Sequence, residues 1–319
     1  MLIGSTVTSI SDNGNAVVGS KPTDLLHVMF TRNKTHVQLR QVNTDYITGS
    51  TQIDEALRKS TLGAIISNQK IQAYNNDSTA IVFDMTGVFL SDNKKMSPFD
   101  RNSIYGMYNR TENYQSDCSY ISQIKAFKDN VSIKSCLSYT FSVSNSQGAS
   151  LIKDRPFTAE MTRSIMLLKE KPYRPRMADY RIGVFFTGRE QLGEGAKTTA
   201  PVYYANRWDI QPSDTAAYLR GEKVKPTKQI VFYIDNTFPE KWKPYLREGV
   251  TQWNELFEQI GFKDVVAAKD FPTDDPEFDP DNIKYSCVRY APSSIENAMG
   301  PSWVDPRSGE ILNASVYLY

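Results

Sequence analysis

Histidine is nearly absent from this chain: among 319 residues there are two, His27 and His36. That scarcity weighs against triads, histidine zinc sites and imidazole acid–base chemistry within these residues, because each ordinarily uses His. Cysteine is scarce as well. Cys118, Cys136 and Cys287 are an odd number without C-x-x-C spacing, which argues against a disulfide scaffold and a cysteine zinc site. A Cys118–Cys136 bridge is one reading of the pair, and buried free thiols fit better. No run of 18 apolar residues occurs, so no transmembrane span is expected. Charge of one sign is missing too. With 37 Lys and Arg against 36 Asp and Glu, no bulk field favours nucleic acid or an anionic membrane. The opening Met1-Leu2-Ile3-Gly4-Ser5 has neither a basic n-region nor an apolar h-region and reads as the inside of a strand, which suggests truncation at both ends.

Aromatic residues are plentiful, at 12% of the chain with 18 Tyr, as in a folded rather than a disordered protein. The first 170 residues carry β signals. Leu26–Phe30 and His36–Arg40 flank a polar turn. Lys70–Tyr74 and Ala80–Asp84 flank Asn75-Asn76-Asp77-Ser78, residues that tolerate unusual backbone angles. Ile121–Phe127 and Val131–Val143 form a third candidate hairpin, and Phe157–Leu168 a further strand. A short amphipathic helix is expected at Ile53–Arg58, and a helical stretch near Val88. The small, polar stretch Ser144–Arg155 reads as a loop.

Lys169–Arg181 is basic and holds two prolines, which exclude helix from the residue before each. It reads equally well as an extended connector or as a surface strand. Beyond Ile182 the pattern alternates strand and helix. Gln229–Asp235 is a continuous apolar run, as in a buried strand. Thr237-Phe238-Pro239-Glu240 fits a capping box, and apolar residues then recur at three and four up to Ile260, with Gly261 as the stop. Pro244 complicates the start and suggests that the long helix begins near it. Strands are expected at Val265–Ala268, Tyr285–Tyr290 and Ile311–Tyr319. The domains expected are therefore a β-rich domain over 1–170, a connector over 171–228 and an incomplete domain over 229–319.

The stretch from Ile230 to Phe262, then Tyr285–Ser293 (YSCVRYAPS), then Ala298–Tyr319 (AMGPSWVDPRSGEILNASVYLY) resembles bacterial zincin-type, zinc-dependent metalloproteases that carry a β-rich domain in front. Upstream, YNNDSTAIVFDMT and LLKEKPYRPRMADYRIGVFF are similar to the same family, and the Gly300–Leu312 block is the most specific part. The resemblance implies an α+β fold: a β-rich domain followed by the upper half of a zincin-like domain, a twisted sheet backed by one long helix. It implies peptide-bond hydrolysis by zinc-activated water in the full-length protein, with a peptide or protein substrate. A periplasmic, outer-membrane-associated or extracellular location is implied too. An H-E-x-x-H helix, in which two His grip zinc and the Glu activates water, is the family's chemistry. That motif does not occur here, so this chain is expected to bind no catalytic zinc and to have no catalytic residue of its own. The expected substrate contact is strand addition along Ile311–Tyr319, with Asn313, Ala314, Ser315 and Val316 supplying the backbone. The alternative function is a non-catalytic binding or interaction protein.

Other clusters have blander readings. Asp270, Asp274, Asp275, Glu277, Asp279 and Asp281 lack EF-hand spacing and read as a solvated loop before a calcium site. His27 and His36 sit on neighbouring strands without a third ligand, and read as ordinary strand residues before a metal pair. Glu160, Glu170 and Asp179 read as charge partners. Arg174, Arg176 and Arg181 alternate with Tyr173 and Tyr180, but without other aromatic-basic patches no nucleic acid is expected.

Overall fold

The computed structural model describes residues 1–11, 16–99, 108–193, 199–294 and 296–319. In chain order its elements are β1 (Leu2–Ile10), β2 (Leu26–Asn33), β3 (His36–Gln41), β4 (Tyr46–Thr48), α1 (Thr51–Ser60), β5 (Ile65–Tyr74), β6 (Ile81–Phe83) and α2 (Thr86–Phe89). Three long strands follow, β7 (Tyr108–Ala126), β8 (Asn130–Asn145) and β9 (Ser150–Met166), then β10 (Phe186–Leu192) and β11 (Thr199–Ala205). The remainder holds α3 (Thr215–Leu219), β12 (Ile230–Ile234), α4 (Lys243–Thr251), α5 (Asn254–Gln259), β13 (Val266–Asp270), β14 (Ser286–Tyr290), β15 (Ala298–Met299), β16 (Ser302–Val304), β17 (Ile311–Ala314) and β18 (Val316–Leu318). The chain divides into two compact units, 1–205 with 306–308, and 206–305 with 309–319. Of the residues read as a connector, 171–205 pack in the first unit and 206–228 in the second.

The first unit is built on an eight-stranded antiparallel sheet in the order β6-β5-β3-β2-β1-β9-β8-β7. All three sequence hairpins are in it: β2 with β3, β5 with β6, and β7 with β8. The expected loop at 144–155 is instead a tight turn, because Asn145 Oδ1 accepts the amides of Gln147 and Ala149, and Gly148 takes a left-handed φ of 84°. Alternation sends Leu137, Tyr139 and Phe141 of β8 and Phe157, Ala159 and Met161 of β9 to one buried face. There Phe99 meets Tyr139 and Phe157 at ring-centroid distances of 5.0 and 5.1 Å. Each such ring contributes roughly 1.5–3 kcal/mol by burial. A second cluster, Ile3, Val28, Leu39, Phe89 and Met96, continues the core under β1–β3. A small separate sheet, β11-β10-β4, completes the unit, with β10 antiparallel to β11 and parallel to β4.

The second unit holds a five-stranded sheet, β13-β12-β14-β18-β15, and the two-stranded ribbon β16-β17. Strands β12, β13, β14 and β18 are parallel, and β15 runs against β18.

The expected α+β architecture, with a zincin-like sheet backed by one long helix, is overturned. Strands hold 46% of the described residues and helices 11%, and the long helix expected to continue through Ile260 is two short ones of nine and six residues. The cause is local. The Thr251 hydroxyl donates back to the carbonyls of Arg247 (2.8 Å) and Glu248 (3.2 Å), an interaction that bends helices. Past it the amides of Glu255 and Leu256 reach only three residues back, to Gln252 and Trp253. Asn254 then turns its side chain to β13: Oδ1 accepts the amides of Val265 and Val266 at 2.9 and 2.8 Å, and Nδ2 donates to the Val266 carbonyl at 2.9 Å. The capping box does not form either. Thr237 bonds Asp235 instead, and the helix starts at Lys243 with proline in its first turn. Gly261 does end α5, with a left-handed φ of 87° and the Phe262 amide returning to the Phe257 carbonyl.

Candidate functional site

The segment Asn313–Val316, expected to offer its backbone to an extended ligand, spans the step from β17 to β18. Asn313 is buried, and its Nδ2 donates to the carbonyls of Ile283 (3.0 Å) and Tyr285 (2.8 Å). Its Oδ1 accepts the Ser315 amide at 3.1 Å. The Ala314 amide donates to Ser286 Oγ at 3.1 Å, and the Cys287 amide to Ser315 Oγ at 3.2 Å. One edge of β17 pairs with β16; the other meets Arg207, whose amide donates to the Gly309 carbonyl and whose carbonyl accepts the Ile311 amide. Strand β18 lies between β14 and β15. The amides of Ala314 and Ser315 are thus already bonded within the chain.

The Gly300–Leu312 block is equally committed to structure. Trp303, Asp305, Ser308 and Glu310 are all buried. The Asp305 amide donates to the Glu310 carbonyl, and the Gly309 amide to that of Asp305, closing the turn between β16 and β17. Gly309 supplies the left-handed residue this turn needs, at φ 77°.

Beside this block, Asp235 and Arg289, which the sequence did not single out, join Asp281 of the acidic loop in a charged cluster at the C-terminal ends of β12 and β14. Arg289 lies 3.6 Å from Asp281 and 4.0 Å from Asp235, with its guanidinium 5.8 Å from the centre of the Tyr317 ring. Burial acts to lower the Arg289 pKa, but Tyr317, Asp281, Cys287 and Asp235 outweigh it and raise it. Burial raises the Tyr317 phenol, and pushes the neighbouring Cys287 thiol up to about 12. A thiol held protonated is neither a nucleophile nor a metal ligand at neutral pH. The cluster can fix strands and set a local charge.

The first unit holds a second unforeseen polar residue. Arg163 is 1% exposed, and its guanidinium donates to the carbonyls of Phe89 (3.3 Å) and Met96 (3.1 Å), tying the segment over the sheet to β9. Burial lowers its pKa to about 10. The signal was present: Phe157, Ala159, Met161 and Arg163 share one side of an alternating strand.

Among the described residues the histidines lie apart, and Asp270 and Asp281 of the acidic 270–281 loop are drawn to arginines. His36 pairs with Asn33 at the turn of the β2–β3 hairpin, whereas the His27 carbonyl accepts the Val42 amide at its far end. Six residues of strand separate them by roughly 20 Å. Asp270 is bound by Arg247 at 2.7 Å, and Asp281 by Arg289. Among the described residues no three His, Cys, Asp or Glu converge. All three thiols are free, with Cys118 exposed and Cys287 buried. Glu160 lies 3.7 Å from Lys134, and Asp179 binds Arg181. No helix among the described residues is long and apolar enough to cross a membrane.

A family model described as "Domain of unknown function (DUF5117)" matches residues 20–213, more than half of the chain. No curated protein and no solved structure matches it.

Proposed function

We propose, from the premise that this chain belongs to the DUF5117 family of unknown function, that it is a non-catalytic part of a zinc-dependent metallopeptidase, a scaffold that holds protein or peptide rather than cleaving it. The peptidase half of the reading rests on the sequence resemblance in 230–319, strongest in the Gly300–Leu312 block. The non-catalytic half rests on one observation above the others: the polar residues of that block and of its neighbours are turned inward onto backbone. Asn313, Ser286 and Ser315 each hold a strand, and Arg289 is placed between Asp281 and Asp235. Asn313–Val316 enters this reading as the support of a platform. In this reading zinc-activated water is the chemistry of the family resembled and is assigned to no residue of this chain, and the resemblance carries the periplasmic, outer-membrane-associated or extracellular location with it.

The test uses a labelled unfolded protein such as casein. The purified chain, with equimolar zinc, is expected to bind it saturably by fluorescence anisotropy and to release no fragments. The full gene product is expected to cleave it, with EDTA abolishing cleavage. Chelator-sensitive cleavage by the chain alone contradicts the non-catalytic half. A full gene product without activity contradicts the peptidase half.

A second reading, a binding protein with no peptidase attached, is favoured by the apolar surface of the first unit. Tyr180, Phe185 and Phe186 are 97%, 87% and 55% exposed, and large apolar patches mark interaction sites. An inactive full gene product that still binds protein selects this reading.

A further inference from the structure

Helices α4 and α5 carry two apolar stripes, and only one of them is buried. Leu246, Val250 and Phe257 pack on the core clusters of the second unit. The other stripe, Trp242, Tyr245, Gly249, Trp253, Leu256 and Ile260, repeats at three and four residues and continues across the break between the helices. Tyr245 is 74% exposed, Trp253 60%, Ile260 57%, Leu256 55% and Trp242 41%. Leu219, at the end of α3, is also exposed. Isolated apolar residues on a surface are ordinary, but exposed Tyr245, Trp253, Leu256 and Ile260 at helical spacing, led by Trp242, whose ring edge meets Tyr290, are not.

We propose that this stripe is a self-association surface on which two copies of the chain pair, helix against helix, about a two-fold axis near Gly249. Three features of the stripe select a second copy as the occupant. The first is area. At roughly 150–250 Å² for a large aromatic side chain, these exposures leave on the order of 700 Å² of apolar surface per copy, close to the ~800 Å² per partner of a standard stable interface. The second is shape. A Cβ built at Gly249 meets nothing within 4 Å, so the middle of the stripe is open and its backbone can be approached closely. The third is charge. Lys241 stands at the N-terminal end of the stripe and Glu255 toward its C-terminal end, and neither has an ion partner among the described residues. An antiparallel two-fold pairing sets each lysine toward the other copy's glutamate, whereas a parallel pairing sets like charge against like; the exposed Glu248 beside the axis meets its own copy in both. A face that is self-complementary only when reversed is what an isologous dimer requires.

Sedimentation equilibrium of the purified chain tests this. The wild type is expected at twice the chain mass at micromolar concentration. Trp253→Glu, which places a charge in the centre of an apolar interface, is expected to raise the dimer dissociation constant at least about 30-fold. Tyr245→Lys serves as an independent second variant, and both should keep the wild-type circular dichroism because the side chains are exposed. Lys241→Glu and Glu255→Lys are each expected to weaken pairing about threefold, and the double variant to restore it. A wild type that stays at one chain mass up to about 100 µM, some hundredfold above a micromolar dissociation constant, overturns the proposal. So does a dimer indifferent to both Trp253→Glu and Tyr245→Lys.

Discussion

The two units hold themselves together by different means. In the first, large side chains fill the space: Phe99, Tyr139, Phe141 and Phe157 meet in one cluster, and the buried polar residue Arg163 reaches its partners with a long side chain. In the second, the clusters are smaller and short polar side chains clamp backbone. Asn254 makes three bonds to Val265 and Val266 at the start of β13, Asn313 three to its surroundings, and Asp214 caps α3 by accepting the Ala217 amide. The contrast teaches where each unit is vulnerable. Packing spreads its stabilisation over many contacts and tolerates a lost hydroxyl. A clamp concentrates it in one residue, whose removal strands several backbone groups at once.

Four changes probe that contrast. The largest effect is expected from Phe141→Ala, which empties a buried ring site in the first unit and should cost about 3–5 kcal/mol, read from urea unfolding by far-UV circular dichroism. Asn254→Ala comes next. It leaves two amides and a carbonyl near β13 without their partner, and a loss of about 2–3 kcal/mol is expected. All four Trp residues (208, 242, 253 and 303) lie in the second unit, so tryptophan fluorescence reports this loss directly. A loss below about 0.5 kcal/mol would erase the distinction between clamp and packing.

The third change is one of pH. The Cys287 thiol titrates near 9.0 when unfolded and is pushed up to about 12 by burial in the fold. Below pH 9 both states keep the proton and the group contributes no slope. Between pH 9 and 12 only the folded state keeps it, so the stability it contributes is lost as pH rises, at up to about 1.4 kcal/mol per unit. Cys287→Ala is expected to flatten this part of the alkaline unfolding curve. The smallest effect is expected from Thr251→Ala. Removing the back-bonding hydroxyl and a β-branched residue should add about 0.5 kcal/mol and strengthen the helical signal at 222 nm.

The sequence made the first unit more legible than the second, for a physical reason. Antiparallel hairpins are local: the turn at Asn75–Ser78 and the alternation in β8 and β9 lie within a few residues of the strands they join. Pairing of β12 with both β13 and β14 is non-local, and its strands are short. Between β12 and β13 one long helix is expected and two short ones are found, because apolar spacing continues through Trp253 while the backbone does not. The spacing reports which side chains could share a face; it does not report that Thr251 and Asn254 bond elsewhere. A free backbone at Asn313–Val316 is likewise not a local property, since it depends on Ser286 and Asn313 side chains whose partners no pattern in the strand reveals. Arg163 was visible in the alternation of β9, and the Arg289 cluster was not, since its members come from three separate segments.

The central proposal is that the residues of 230–319 that carry the resemblance are structural and that the chain holds peptide without cutting it. Mixing the zinc-supplemented chain with labelled unfolded casein, and following anisotropy and fragment release together, tests it most directly. Saturable binding with an intact casein band is the predicted result. Fragments that appear with zinc and vanish with EDTA, or no binding at any attainable concentration, would contradict it.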